Sequence, residues 1–200
     1  MATLDRPSAR ESKRLQTRER LMGAAVAEFK RSGLAEADVG SIVAAAGVAH
    51  GTFFFHFPTK EHVLLELERR EEDRMAKQIA RLLSSQPNLL TVLTDAVRLV
   101  VGLERRLGDM LFKDLLALHF SQTRPSAENE KDHPFILAVA QAIEHGQELG
   151  EVDLEVKPMN SAVFFLLGLY ALLTTMTEWP TRGEILNDYV TRTLRSLEPR

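Results

Sequence analysis

Residues 38–61 read DVGSIVAAAGVAHGTFFFHFPTKE, and the two breaks inside them decide the fold. Asp38 is a favoured helix N-cap, and Val39, Ile42, Val43 and Ala46 follow it at helical spacing. Gly47 supplies the backbone freedom of a tight turn. A second short helix then runs over about 50–57, stopped by Pro58, and Thr59 caps a longer helix that starts at Lys60. Val48 and Phe53 fold back onto the first helix, which is the spacing of a helix-turn-helix. The outer face of the second helix carries His50, Thr52 and His56.

Working outward, almost every segment reads as helix. Leu21, Ala25 and Phe29, flanked by Met22 and Val26, mark one over 17–29. Ser8 and Glu11 have the spacing of a capping box ahead of it, and Gly33 ends it. The helix from Lys60 presents Val63, Leu64, Leu67, Glu71, Met75, Ile79 and Leu82, supported by the i,i+4 pairs Glu66–Arg70 and Asp73–Lys77. Further helices are expected over 87–103, 109–120, from Pro134 to a stop at Gly146 and Gly150, and over 183–197. Residues 121–132 read as a mobile loop, with Ala127 their only apolar member. No strand-like alternation and no repeat is present, so the predicted fold is all-α, with about nine helices.

Residues 159–177 contain no charge, but their strictly apolar centre, 162–173, is twelve residues long. That is short of the roughly 20 residues a membrane span needs, so a buried core helix is expected and no membrane partner. A helix apolar all round must be covered all round. A second subunit is the expected cover, with Ile185, Leu186, Tyr189, Val190 and Leu194 as a companion stripe.

Composition fits an ordinary globular chain: 200 residues, 44% apolar and 26% charged, with a formal net charge of −3. The absence of cysteine excludes disulfide scaffolds, thiolate zinc sites, thiol nucleophiles and iron–sulfur clusters. Residues 1–20 are polar and charged and lack the apolar core of a secretory signal, so a cytoplasmic location is expected. The modest net charge hides an asymmetry. Residues 1–60 carry nine Lys/Arg against six Asp/Glu, whereas 61–200 carry sixteen against twenty-two. Arg6, Arg10, Lys13, Arg14, Arg18 and Arg20 supply most of the basic excess. A basic head on an acidic body is the pattern of a nucleic-acid-binding head on a body with another task.

An ordered pattern runs through Thr17-Arg18-Glu19-Arg20-Leu21, Ala24-Ala25, Phe29, Gly33, Val39, Ile42 and Ala46-Gly47-Val48. It continues through Gly51-Thr52, His56-Phe57-Pro58 and Lys60-Glu61. On these residues the head resembles the tetracycline-repressor-like (TetR) family of bacterial transcriptional regulators. The resemblance implies a DNA-binding domain over 12–66 and a ligand-binding, dimerising domain over 67–200. Two copies related by a two-fold axis would read a palindromic operator in double-stranded DNA, and a small-molecule effector would release it. Lys60 is similar to the family's phosphate-contacting lysine, and Thr52 to its recognition-helix threonine. The expected DNA contacts are Arg6, Arg10, Arg14, Arg18, Ser41, His50, Gly51, Thr52, Phe54, His56 and Lys60. The homodimer implied by the last two long helices would use Phe165, Leu169, Leu173, Ile185 and Tyr189.

Departures from the family pattern redirect the expected affinity. Ala49 stands where Ser is usual, His50 where Lys or Arg is usual, Phe54 where Tyr is common, and Asp38 where Thr is common. The recognition helix therefore has no permanent cation, and Arg6, Arg10, Lys13 and Arg14 become the expected source of phosphate contacts. His50 makes DNA affinity that rises as pH drops from about 7.5 to 6 an expectation.

No catalytic arrangement, metal-ligand set or cofactor motif stands out among the six histidines and the acidic residues. An effector pocket in the body would draw on Phe112, Leu116, His119, Phe120, Phe135, Val139, Phe164 and Tyr170. Arg98 belongs to a polar stripe with Thr91, Asp95 and Gly102 that either faces solvent or, if its helix is central, points Arg98 into the body to bind an acidic ligand or pair with Asp95. Apolar lining favours a hydrophobic effector. Two other classes compete with a ligand-released repressor: a helical carrier or enzyme, and a dimeric interaction module whose head has lost DNA binding.

Overall fold

The computed structural model describes residues 8–122, 124–125, 133–177 and 179–199; Arg6 and most of the expected loop over 121–132 lie outside them. The described residues form nine helices and no strand. They are α1 Ala9–Glu36, α2 Val39–Ala46, α3 His50–His56, α4 Lys60–Leu83, α5 Leu89–Leu107, α6 Asp109–His119, α7 Pro134–Glu148, α8 Pro158–Thr175 and α9 Arg182–Leu197. They divide into two compact units, one drawn from 1–67 with 117–125 and the other from 68–116 with 126–200. α4 is continuous through the division.

In the first unit, the expected capping box starts α1. The Ser8 hydroxyl accepts from the Glu11 amide at 3.2 Å, and the Glu11 carboxylate accepts from the Ser8 amide at 3.4 Å. α1 thus begins well before its apolar stripe, and its first two turns stand exposed. Gly33, at φ 76°, breaks the helix where a left-handed-type residue is expected. The Asp38 carboxylate caps α2 by accepting from the Ser41 amide at 2.7 Å, and Gly47 closes α2 at φ 63°. Ala49 gives α3 no side-chain cap. Leu21, Ala25, Phe29, Ile42, Phe53, Phe57, Val63 and Leu64 are fully buried and form the core of this unit.

The second unit packs α7 against α8, and α5 against both α7 and α9. Asn88 caps α5 through the Thr91 amide at 2.9 Å, so the helix starts one residue after Pro87 and its cap. α5 also runs on past 103, to Gly108 at φ 79°. Gly168 is required by a close approach: a Cβ there would collide with the Tyr189 hydroxyl, which donates to the Phe165 carbonyl at 2.6 Å. The Tyr189 and Phe165 rings stack at 5.6 Å. Tyr189 is therefore a lock between α8 and α9 of one chain, and its burial pushes the phenol pKa up.

α8 is long and apolar enough to cross a membrane, but it is one-sided. Ala162, Phe165, Leu166, Leu169 and Leu173 are buried inside the chain, while Met159, Phe164 and Leu167 are exposed. The expectation that Phe165, Leu169 and Leu173 face a partner is corrected here: they fill their own chain's core. The uniform apolarity of the segment gives no phase, so the sequence could not say which side turns inward.

Candidate nucleic-acid interface

α2 and α3 meet at 96° around Gly47, within the range of helix-turn-helix corners. The turn is held by the Gly47 amide on the Ala44 carbonyl at 3.1 Å and the Val48 amide on the Val43 carbonyl at 3.0 Å. Phe53 anchors α3 in the core, so helical phase fixes what faces out: His50, Gly51, Phe54 and Phe55 are exposed and Thr52 is half-buried. Phe55 is 72% exposed and Phe54 48%. This face carries no fixed charge.

The charge comes from α1. Its first turns and α3 enclose a groove of about 520 Å³ lined by Arg10, Lys13, Arg14 and Thr17 on one wall and Thr52, Phe55 and His56 on the other, with Ser8 and Glu11 at its end. The Arg14 guanidinium lies 5.8 Å from the centroid of the Phe55 ring, a cation–π distance. Three cations and two threonine hydroxyls beside an exposed helix suit a sugar–phosphate backbone. Phe55 and Lys13 complete this groove, although the sequence alone does not single out Phe55. In a run of three phenylalanines the outward ring is visible only once Phe53 is known to be the anchor.

Four expected DNA contacts are engaged or buried within the head. Arg18 is half-buried and acts as a strut: its guanidinium donates to the His56 carbonyl, approaches Glu66 at 3.5 Å and stacks on Phe57 at 4.1 Å. The structure thus gives Arg18 a structural role within the head in place of the outward-facing one the sequence suggests. His56, placed by the sequence on the outer face, is 9% exposed. Burial, then the nearby Arg18 and Arg14 charges, push its pKa below the usual histidine range and keep it neutral. Lys60 donates to the carbonyls of Ala35 at 2.9 Å and Ala37 at 3.0 Å. It closes the turn after α1, a role its position after Pro58 does not reveal. Ser41 is exposed but donates to Asp38 at 3.0 Å, and that carboxylate is held below its usual range mainly by the Ser41 and Gly40 amides.

In the second unit, Phe112, Leu116, Phe135 and Val139 are packed core, and Tyr170 is covered enough that burial, then Glu72 and Glu68, drive its pKa strongly upward. Phe164 is exposed on α8 rather than lining an interior. His119 and Phe120 group with the first unit, and Phe120 is exposed. Arg98 takes the solvent-facing alternative, ion-paired to Asp95 at 2.9 Å, and its reading as an inward ligand anchor is corrected. Sequence phase puts Glu71 on the inner face of α4, whereas Glu68 and Glu72 are the buried carboxylates. A separate groove of about 500 Å³ is lined by Glu104, Arg105, Gly108, Asp109, Lys113, Thr177 and Arg182, with Glu104 and Arg182 paired at 2.6 Å.

Comparison with known proteins agrees with this geometry. Residues 21–67 match the model of the bacterial regulatory proteins of the tetR family. An uncharacterised helix-turn-helix-type transcriptional regulator, YdgC of Bacillus subtilis (strain 168), is 29% identical over 164 residues, 82% of each chain. Among solved structures, the regulator FadR from Bacillus subtilis, in complex with stearoyl-CoA, superposes with a TM-score of 0.68 at 16% identity over 90% of this chain and 99% of its own. The TetR-family protein CprB of S. coelicolor A3(2) superposes with a TM-score of 0.58 at 23% identity, over 92% and 90%. Residues 21–67 thus carry the head of the bacterial regulatory proteins of the tetR family, and the described residues around it share an all-helical fold with solved regulators.

Proposed function

We propose that the chain is a cytoplasmic, homodimeric transcriptional repressor that binds a palindromic operator and leaves it when a small molecule binds the body. The observation that carries the DNA-binding part is the pairing of an exposed α3 face with a cationic groove from α1. Arg10, Lys13 and Arg14 take phosphates and fix the register, while His50, Gly51, Thr52 and Phe54 face the base edges. The exposed stripe of Met159, Phe164 and Leu167 on α8 supports dimerisation, since a second copy of α8 would cover it. No enzymatic step, metal or cofactor is assigned to the chain.

The effector is inferred to be mainly apolar, with one hydrogen-bonding group. The packed Phe112, Leu116, Phe135 and Val139 would have to part to admit it, and the Tyr170 hydroxyl lies in the field of Glu68 and Glu72. The stearoyl-CoA complex of FadR supports an acyl or similarly apolar molecule by analogy of fold alone. Such a molecule must bind the DNA-released conformation more tightly than the DNA-bound one, because equal affinity moves no equilibrium. α4, continuous from Lys60 to Leu83, is the element through which a change around Glu68 and Glu72 would reach the head.

Selection of bound duplexes from a random pool tests the reading. The expected product is a palindrome with half-sites about one helical turn apart, released by an apolar compound in a subsequent screen. Enrichment of no sequence would overturn it.

A further inference from the structure

α3 presents three consecutive phenylalanines, of which the core uses one. Phe53 is fully buried, while Phe54 and Phe55 stand 48% and 72% exposed on the face that the helix-turn-helix offers outward. Two adjacent exposed rings on one short helix form an apolar patch that the folded chain itself does not require. Neither ring has a hydroxyl, so neither can hydrogen-bond a phosphate or a base edge. What they can offer is apolar contact.

The cations say what would meet them. Arg10, Lys13 and Arg14 share a groove with Phe55, and the Arg14 guanidinium lies 5.8 Å from its ring centroid. A polyanion drawn onto those cations lies against the same ring. In the major groove of duplex DNA the base edges are read mainly through hydrogen-bond donors and acceptors, and the one apolar group that projects from them is the C5 methyl of thymine.

From this we infer that Phe54 and Phe55 read thymine methyl groups, so that part of this protein's operator preference is recognition of a methyl. The inference rests on the proposed DNA-binding function and assigns the chemistry of its specificity. Burying one methyl against a ring corresponds to about a fourfold change in affinity per half-site, and about fifteenfold for both half-sites of a palindrome.

The test uses the full chain and the duplex enriched from the random pool, with each thymine replaced in turn by deoxyuridine, which deletes only the methyl. A loss of about fourfold is expected at one or two thymines per half-site, rising to about fifteenfold when symmetric pairs are replaced. The variants Phe54→Ala, Phe55→Ala and the double variant should keep their helical circular dichroism, since the replaced rings are exposed. The double variant should bind thymine and deoxyuridine duplexes equally. The inference is overturned if every deoxyuridine substitution costs less than twofold, or if the double variant retains the full deoxyuridine penalty. Failure to enrich any duplex would overturn the DNA-binding reading with it, whereas an enriched duplex indifferent to deoxyuridine overturns this inference alone.

Discussion

Phe55 and Phe164 are almost equally exposed, at 72% and 70%, yet they belong to surfaces of opposite kind. Phe55 shares its groove with Arg10, Lys13 and Arg14. Phe164 sits on α8, whose eighteen residues include no charged side chain, beside the exposed Leu167. An exposed aromatic ring alone says little, because apolar atoms make up more than half of an ordinary protein surface. The neighbours decide. Cations turn one ring toward a polyanion, and a neutral apolar stripe turns the other toward a surface like itself.

The largest effect should come from putting charge on the α8 stripe. Leu167→Glu, alone or with Phe164→Glu, would bury unpaired carboxylates in a symmetric interface and weaken dimerisation at least about a hundredfold. The side chains are exposed in the single chain, so helicity should survive. Analytical ultracentrifugation reads the result, and the monomer should also lose operator affinity. A variant that stays dimeric would break the comparison, since α8 would then resemble any tolerant surface.

Removing the cations from the other ring is the next test. With Arg10, Lys13 and Arg14 all changed to Ala, the slope of log K against log salt should flatten by about 0.9 for each phosphate no longer neutralised, or up to about 2.7 per protomer. Affinity near physiological salt should fall by on the order of tenfold or more. An unchanged slope would mean that the groove beside Phe55 holds no phosphate.

Arg18 marks where reading cations from sequence stops working. Its position among the basic residues of α1 makes it look equivalent to Arg14, but the two differ in what stands next to them. Arg18 lies over Phe57 and under the His56 carbonyl, so Arg18→Ala should cost about 2 kcal/mol of stability and lower the melting temperature by several degrees. Its effect on the salt slope should be small. If Arg18→Ala instead flattened the slope without loss of stability, Arg18 would belong with the groove.

The same limit explains which parts of the molecule were legible. Caps, glycine stops and proline starts act locally, so Ser8, Asp38, Gly47, Pro58 and Pro134 located helix ends from spacing alone. Facing is different. α4 places Glu68 and Glu72 inside, although Glu71 continues the apolar series, and α8 is so evenly apolar that no period exists to read. Lys60 needed its distant partners, the carbonyls of Ala35 and Ala37, to show its role. Local rules are written in neighbouring residues, whereas the roles of Arg18 and Lys60 depend on pairs more than twenty residues apart.

The smallest expected effect is that of pH on stability, set by His56 at the end of α3. Buried His56 has a folded pKa below the ordinary value of about 6.5, so the unfolded chain binds the proton first. Stability from this group is full above that value and declines as pH falls through it toward the lower folded pKa. Arg14 and Arg18 face the ring and add to the cost of charging it. The melting temperature should therefore drop between pH 7.5 and 5.5, and His56→Gln should reduce the drop. A His56→Gln variant that keeps the parent's melting-temperature profile would mean that burial beside Arg14 and Arg18 sets no penalty on charging the ring.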